Sequence, residues 1–219
     1  MRTITVKGVG RVSAKPDLIT VGITVKSKRR EYSEAFKRSK EKIESIEKAV
    51  LEAGFSKSDL KTSDFDVNVV ERSIEDGHGN WREIFDGYCC THKLKLEFDF
   101  DTDKLGELLA KFAKCEGRPN FDIRFTLKDK TKIMNDLLAG ATDDAKLKAQ
   151  AICAASGVSL GELVTINYAW TDVNIFSHTQ LCCDEILDED LASAYLSSDC
   201  ITPEDIELSE SISFVWEIK

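Results

Sequence analysis

Between residues 149 and 218 the chain has no lysine and no arginine, yet it carries thirteen carboxylates there. The preceding 148 residues hold 29 basic and 26 acidic side chains, so the overall charge of −9 hides a one-sided split. A split of this kind bears on association, not on fold. No stretch approaches the roughly 20 apolar residues that a membrane span needs. "RTITVKGVGRVSAKPD", directly after Met1, alternates and has no apolar h-region, so no secretory signal is expected and the expected location is cytoplasmic. No Cys-x-x-Cys occurs among the seven cysteines Cys89, Cys90, Cys115, Cys153, Cys182, Cys183 and Cys200. An odd set with two adjacent pairs makes a poor disulfide framework, because neighbours on a strand point to opposite faces. Reduced thiols in a reducing compartment are the simpler reading. There is also no internal repeat and no Gly/Ser linker, which leaves one domain over residues 1–219 as the expectation.

What is present is a soluble, globular composition, 42% hydrophobic and 32% charged. Period-two alternation marks seven strands. The first carries Ile4, Val6 and Gly8, the second Ile19, Val21, Ile23 and Val25, and the third Phe65, Val67 and Val69. The fourth has Leu94, Leu96, Phe98 and Phe100, and the fifth Phe121, Ile123, Phe125 and Leu127. Val164, Ile166, Tyr168 and Trp170 make a sixth, and Ile206, Leu208, Ile212, Phe214, Trp216 and Ile218 a seventh. Apolar-in, polar-out alternation favours mainly antiparallel sheets with one buried face.

Three helices interrupt the strands. The first runs from a Ser33 cap through Phe36, Ile43, Ile46 and Val50 to Gly54; the second follows Asp101 or Thr102 with Leu105, Leu108, Leu109 and Phe112 on one stripe. The third, about residues 130–156, carries Met134, Leu138, Ala141, Ala145, Ala149 and Ile152 and stops at Gly157. The predicted fold is α+β, in the order ββαββαβαββ, with the helices packed on one face. Residues 173–203 are expected to be an irregular acidic insertion, or a short helix around Glu185–Leu196.

Four motifs bear on chemistry. Gly157, Ser159 and Gly161 form a literal Gly-x-Ser-x-Gly. A nucleophile elbow needs a strand before its serine and a helix after it, and here the order is reversed. His178 is the one downstream histidine that a triad could use, and it falls in the insertion. "GVGRVS", Gly8 to Ser13, lacks the helix that a dinucleotide loop must open, so it is expected to be a glycine-marked bend in a hairpin. Asp99, Asp101 and Asp103 stand at calcium-loop spacing, but Lys104 and Ala110 occupy the positions that require glycine and glutamate. They are expected to face solvent and cap the second helix. Cys89, Cys90 and His92, with His178, Cys182 and Cys183, are the right donor types for zinc, against which stand the missing Cys-x-x-Cys and the divergence of adjacent strand residues.

"ITVKGVGRVSAKPDLITVGITV", the charged helix ending "LEAGFSKSDLKTSDFDV", "GYCCTHKLKLEF" and "LLAGATDDAKLKAQAICAASGVSLGELVTI" together resemble the SIMPL-domain family. The resemblance runs from about residue 3 to 218, broken near 173–203. It implies a mostly bacterial protein, usually exported to the periplasm or envelope, without established enzymatic activity and linked to stress tolerance and protein interaction. The cysteines after Tyr88 and the acidic insertion depart from the family pattern.

The resulting expectation is a non-enzymatic binding or assembly protein, stress-related and self-associating as a homo-oligomer. No nucleic acid, transmembrane segment, catalytic residue, cofactor or metal is assigned, and any other protein partner is unidentified. The alternatives are a thiol-dependent stress protein, redox or metal-binding, using Cys89/Cys90 or Cys182/Cys183, and a serine hydrolase at Ser159. The charge split suggests that Lys26, Lys28, Arg29 and Arg30 of one copy meet the acidic insertion of another.

Overall fold

The computed structural model describes residues 2–75, 80–169, 174–183 and 201–219, with the backbone alone for 180–183. The elements are β1 (Thr3–Ala14), β2 (Leu18–Arg29), α1 (Tyr32–Glu52), β3 (Leu60–Glu75), β4 (Trp81–Asp99), α2 (Thr102–Ala113), β5 (Asn120–Thr126), α3 (Lys130–Ala155), β6 (Leu160–Asn167), β7 (Phe176–Cys183) and β8 (Ile206–Ile218). The expected α+β order is present, with one strand more: β7 lies within the stretch expected to be irregular. The proposed helix around Glu185–Leu196 and Trp170 lie outside the described residues. The chain divides into two compact units, one of residues 1–17, 126–178 and 203–219, the other of 18–125 and 179–202.

In the first unit β1, β8 and β6 form a sheet in that order. β1 and β8 pair antiparallel without interruption from Thr3↔Glu217 to Ala14↔Ile206. The alternation is borne out on β8, where Ile206, Leu208, Ile212, Phe214 and Trp216 are all buried. Phe214 and Trp216 stack at 5.3 Å between ring centroids. α3 lays Ala141, Ala145 and Ala149 against Val6, Ile212, Phe214 and Trp216.

That helix can come so close because β1 presents glycine to it. A Cβ on Gly8 would sit 1.9 Å from the Ala141 carbonyl oxygen, and one on Gly10 would sit 1.9 Å from that of Leu137. The expected hairpin bend at Gly8–Ser13 is therefore corrected: both glycines lie inside a regular strand, and their role is close approach. Two polar ties fix the contact. The Val9 N–H donates to Asp144 Oδ2 at 2.7 Å, and Lys148 Nζ donates to the same oxygen at 2.7 Å. α3 ends as its sequence promised, with Gly157 at φ 69°, its N–H donating to Ala154 O and the Val158 N–H to Cys153 O.

In the second unit the strand order is β3-β4-β2-β5-β7. Ile19, Val21, Ile23 and Val25 of β2 share a core with Leu94, Leu96 and Phe98 of β4 and with Phe121, Ile123 and Phe125 of β5. α1 and α2 cover that face with Ile46, Val50, Leu105, Leu108, Leu109 and Phe112. α1 starts one residue earlier than its expected cap: Glu31, not Ser33, holds the N-cap position, and no side chain caps it. Phe36 leaves the buried stripe, which Ala35 and Ser39 occupy instead. α2 is capped as expected by Asp101, whose Oδ1 accepts from the Lys104 N–H at 3.0 Å.

Two strands depart from the alternation argument. The third strand was expected to bury Phe65 and Val69, and the sixth Val164 and Ile166, but all four are exposed. β3 and β6 are the outer strands of their sheets among the described residues, and the helices barely reach them.

The close approach makes two substitutions of one type move stability in opposite directions. Gly10→Ala should destabilise by about 3 kcal/mol or more, because the new methyl meets backbone that cannot rotate away. Gly140→Ala, on the facing helix, brings its methyl to an ordinary 3.5 Å from the Gly10 Cα. It should stabilise by about 0.5–1 kcal/mol through helix propensity. Urea unfolding of both variants measures this; equal and small effects would refute the close-packing account.

Candidate functional surface of the second unit

β3 and β4 form a long hairpin of 16 and 19 residues, well beyond ordinary strand length. Register places Phe65, Val67 and Val69 opposite His92, Cys90 and Tyr88. Those positions continue the face that, nearer the core, lies against α1. Past an irregularity between Val70 and Glu71, Phe85 and Trp81 pair with Glu71 and Glu75 and carry the same face outward. α1 does not extend over it, so Val69 is 56% exposed and Trp81 70%.

Ring contacts stitch this face to the start of α1. Phe85 meets Tyr88 at 5.3 Å and Tyr88 meets Tyr32 at 5.7 Å; Phe36 meets Phe65 at 6.1 Å and Phe65 meets His92 at 5.2 Å, all edge-on. Such contacts add to apolar burial and orient the rings. A cleft of about 270 Å³ runs beside them, lined by Phe36, Ile43, Phe65 and His92 together with Lys40 and Glu47. Burial pushes His92 below the ordinary histidine range, and Thr62 Oγ1 lies 3.0 Å from its Nε2.

A second cavity, of about 430 Å³, opens where β2 ends beside α1 and the loop after α2; Arg29, Arg38, Lys42 and Arg118 line it with Glu116. The sequence marked Lys26, Lys28, Arg29 and Arg30. It did not mark Arg38, Lys42 and Arg118, which reach the same place only through the fold.

The residues singled out for chemistry are dispersed. Ser159 lies in the first unit, where its N–H and carbonyl pair with Lys219 and its Oγ donates to the Lys219 carbonyl at 3.4 Å. The helix precedes it and β6 follows, the reverse of a nucleophile elbow. Cys90 is fully buried while its neighbour Cys89 is half-buried on the other face of β4. Cys89, Cys90, Cys115 and Cys153 are free thiols. Among the described residues no three His, Cys, Asp or Glu side chains gather as metal donors. The side chains of Cys182 and Cys183, together with Cys200, fall outside the described residues.

The sequence has relatives. Residues 4–216 match the family model SIMPL, described as a protein of unknown function (DUF541). The 26 kDa periplasmic immunogenic protein of Brucella abortus (strain S19) is 23% identical over 164 residues, 75% of this chain and 65% of that protein. The protein of the same name from Brucella melitensis biotype 1 is 22% identical over 164 residues. The match thus spans 65% of these relatives' own length, just under two thirds. Among the described residues no helix is long and apolar enough to cross a membrane.

The His92 environment has a consequence for pH. A histidine whose folded pKa is lowered contributes stability that is full above its unfolded value of about 6.5 and is lost as pH falls through the folded value. Thermal stability should therefore fall on going below about pH 6.5, and His92→Gln should remove that part of the profile. Asp64, Asp86 and Asp144, whose carboxyls are held below the usual range first by hydrogen bonds from Lys93, Lys28 and Lys148, act in the same direction at lower pH. The variant should leave that acid limb in place. A profile that His92→Gln leaves unchanged between pH 7 and 5 would contradict the assignment.

Proposed function

The chain belongs to the SIMPL family, whose model its residues 4–216 match, and on that premise we propose that it works by binding and assembly rather than catalysis. Its first partner in this reading is a second copy of itself. One observation carries the proposal: the β3–β4 hairpin holds Val69, Phe85 and Trp81 exposed along one face, beside β3, the outer strand of its sheet among the described residues. Aromatic side chains in that position are what a protein interface buries at its centre. An uncovered edge of 16 residues is a pairing template unless something occupies it. Charged residues along β3 such as Lys61, Asp64 and Asp66 blunt nonspecific pairing and leave a matched copy as the occupant.

The charge split supports association without deciding its geometry. The acidic residues Asp188, Glu189 and Asp190 lie outside the described residues, so the proposal rests on the hairpin and uses charge only for steering. Both units act together as a single SIMPL domain in this reading, since one family model runs through the residues of each. The absence of catalysis is supported by Ser159, whose hydroxyl is engaged with backbone at the start of a strand. A stress-related role comes from the family resemblance alone.

Light scattering coupled to size exclusion tests assembly. The native chain should run as a multiple of 24.5 kDa, and Val69→Asp with Trp81→Asp should reduce it to the monomer without changing its circular dichroism. Assembly that survives about 1 M salt, where the Debye length is roughly 3 Å, assigns the contact to the hairpin; assembly that dissolves there assigns it to the charge split. A monomer at every concentration and salt level would overturn the proposal.

Location divides on the thiols. The Brucella relatives are named periplasmic, whereas seven cysteines, with Cys89 and Cys90 turned to opposite faces of β4, favour the reducing cytoplasm. Alkylation and mass spectrometry of the protein isolated from its own cells should find seven free thiols. Stable bridges through Cys89 or Cys182 would place the chain in an oxidising compartment and favour the thiol-dependent alternative.

A further inference from the structure

We propose that the cavity between the end of β2, the first half of α1 and the loop after α2 binds a small phosphorylated ligand, held by Arg29, Arg38, Lys42, Arg118 and the hydroxyl of Ser27. Three independent features meet there. The first is charge: among the described residues lining the cavity, Glu116 is the one acid beside six cations. Lys28 pairs outward with Asp86, and Arg38 with Glu41 at 3.0 Å. Arg118 has no ion pair among the described residues. Burial first, then Arg38, Arg29 and Arg118, lowers the Lys42 pKa, so these cations crowd one another. Like charges crowded together with few counter-charges are a standing electrostatic cost that an anion would relieve.

The second feature is Ser27. Its side chain continues the inward row of Ile19, Val21, Ile23 and Val25, yet it is a hydroxyl, lines the cavity and is 2% exposed. Its Oγ has no hydrogen-bond partner among the described residues. A buried hydroxyl without a partner is costly and calls for an explanation. A ligand oxygen inside the cavity supplies one.

The third feature is the backbone at Arg118, the one non-glycine residue at positive φ among the described residues, at 43°. Its neighbour Gly117 lets the loop lie on α1: a Cβ there would stand 2.9 Å from the Lys42 carbonyl oxygen. The chain thus holds an arginine in a conformation suited to glycine, beside Lys42. Strained positions of this kind cluster at binding sites.

The chemistry of the donors names the ligand class. Three guanidinium forks, an ammonium and a hydroxyl exceed what one carboxylate can accept and match the oxygens of a phosphate group. The volume of about 430 Å³ is within the range of small-ligand sites and leaves room beyond a single phosphate. Among the described residues no aromatic ring lines it to stack on a base. A sugar phosphate or a short polyphosphate fits; both present the same oxygens.

Isothermal titration with inorganic pyrophosphate and with ribose 5-phosphate, at physiological salt, tests the site on the full chain. One equivalent should bind, and the tighter of the two probes identifies the source of the phosphate. Arg118→Gly should weaken binding at least tenfold while thermal stability holds or rises, since glycine suits the backbone there. Ser27→Ala should weaken it several-fold, again without loss of stability, because an unsatisfied hydroxyl is removed. Lys130→Gln, on α3 and outside the lining, should leave affinity unchanged. No binding of either probe up to about 10 mM would overturn the proposal. So would equal losses in Lys130→Gln and Arg118→Gly, which would mark nonspecific charge attraction. Because the titration is run on monomer and assembly alike, its outcome is independent of self-association.

Discussion

One helix can cover about two strands. Its diameter with side chains is roughly 10–12 Å, and neighbouring strands lie about 4.8 Å apart. In the first unit a single helix, α3, faces three strands, and it covers β1 and β8 while barely reaching β6. In the second unit α1 lies over β2 and β4, and β3 is left outside. The exposed Val164 and Ile166 of β6, and the exposed Phe65 and Val69 of β3, follow from that shortage of cover. The hairpin face is the larger consequence, since β3 and β4 run on past any helix. The exposed apolar face is what remains when the helices have been used up.

Where cover is complete, side-chain size decides how close it lies. α3 meets β1 through Ala141, Ala145 and Ala149 on one side and Gly8 and Gly10 on the other, so backbone approaches backbone. Little apolar area is gained by small residues, and dispersion contacts from near-perfect fit make up part of the difference. The Val9 N–H would be stranded by such an approach, and Asp144 on the helix accepts it. Asp144 would in turn be an uncompensated charge, and Lys148 one turn later answers it. The alanine stripe, the two glycines and the Asp–Lys pair form one device.

These constraints explain what could be read from the sequence. Alternation on β2, β5 and β8 was legible because the inward row of each is buried in a core shared with helix residues. Leu105, Leu108, Leu109 and Phe112 of α2 were legible for the same reason, and Gly157 because a helix end in left-handed backbone has few alternatives. Gly8 and Gly10 misled, since a glycine in a strand can mean a bend or a close neighbour, and the neighbour is over a hundred residues away. Phe65 and Val69 misled because alternation reports a pattern of polarity, not whether anything lies against it. Phe36 misled in the opposite sense: it fits a helical stripe but serves the aromatic row on the hairpin. Of the basic cavity, only the contiguous cations at the end of β2 were visible; Arg118 joins them through a loop whose position depends on Gly117.

The cations at that end of β2 are not equivalent, and the fold sorts them. Strand alternation sends Lys28 to the opposite side from Ser27 and Arg29. There Lys28 pairs with Asp86, which also draws Arg72 to 3.8 Å. Asp86 sits at the irregularity where the hairpin changes course, next to Gly87 at φ 127°, a glycine whose Cβ would come within 2.4 Å of the Arg29 carbonyl. The bend that turns the hairpin's aromatic face therefore also fixes the Arg29 backbone and places Asp86 to neutralise Lys28 at the cavity's rim. Exposed ion pairs of this sort contribute little to stability; their value here is selection of partners. Lys28 is thus neutralised on the hairpin side, while Arg29 and Arg118, which have no ion pair among the described residues, are left beside Ser27 at the cavity. The same few residues thus hold apart two surfaces of different chemistry, one aromatic and one cationic, on adjoining parts of a single sheet.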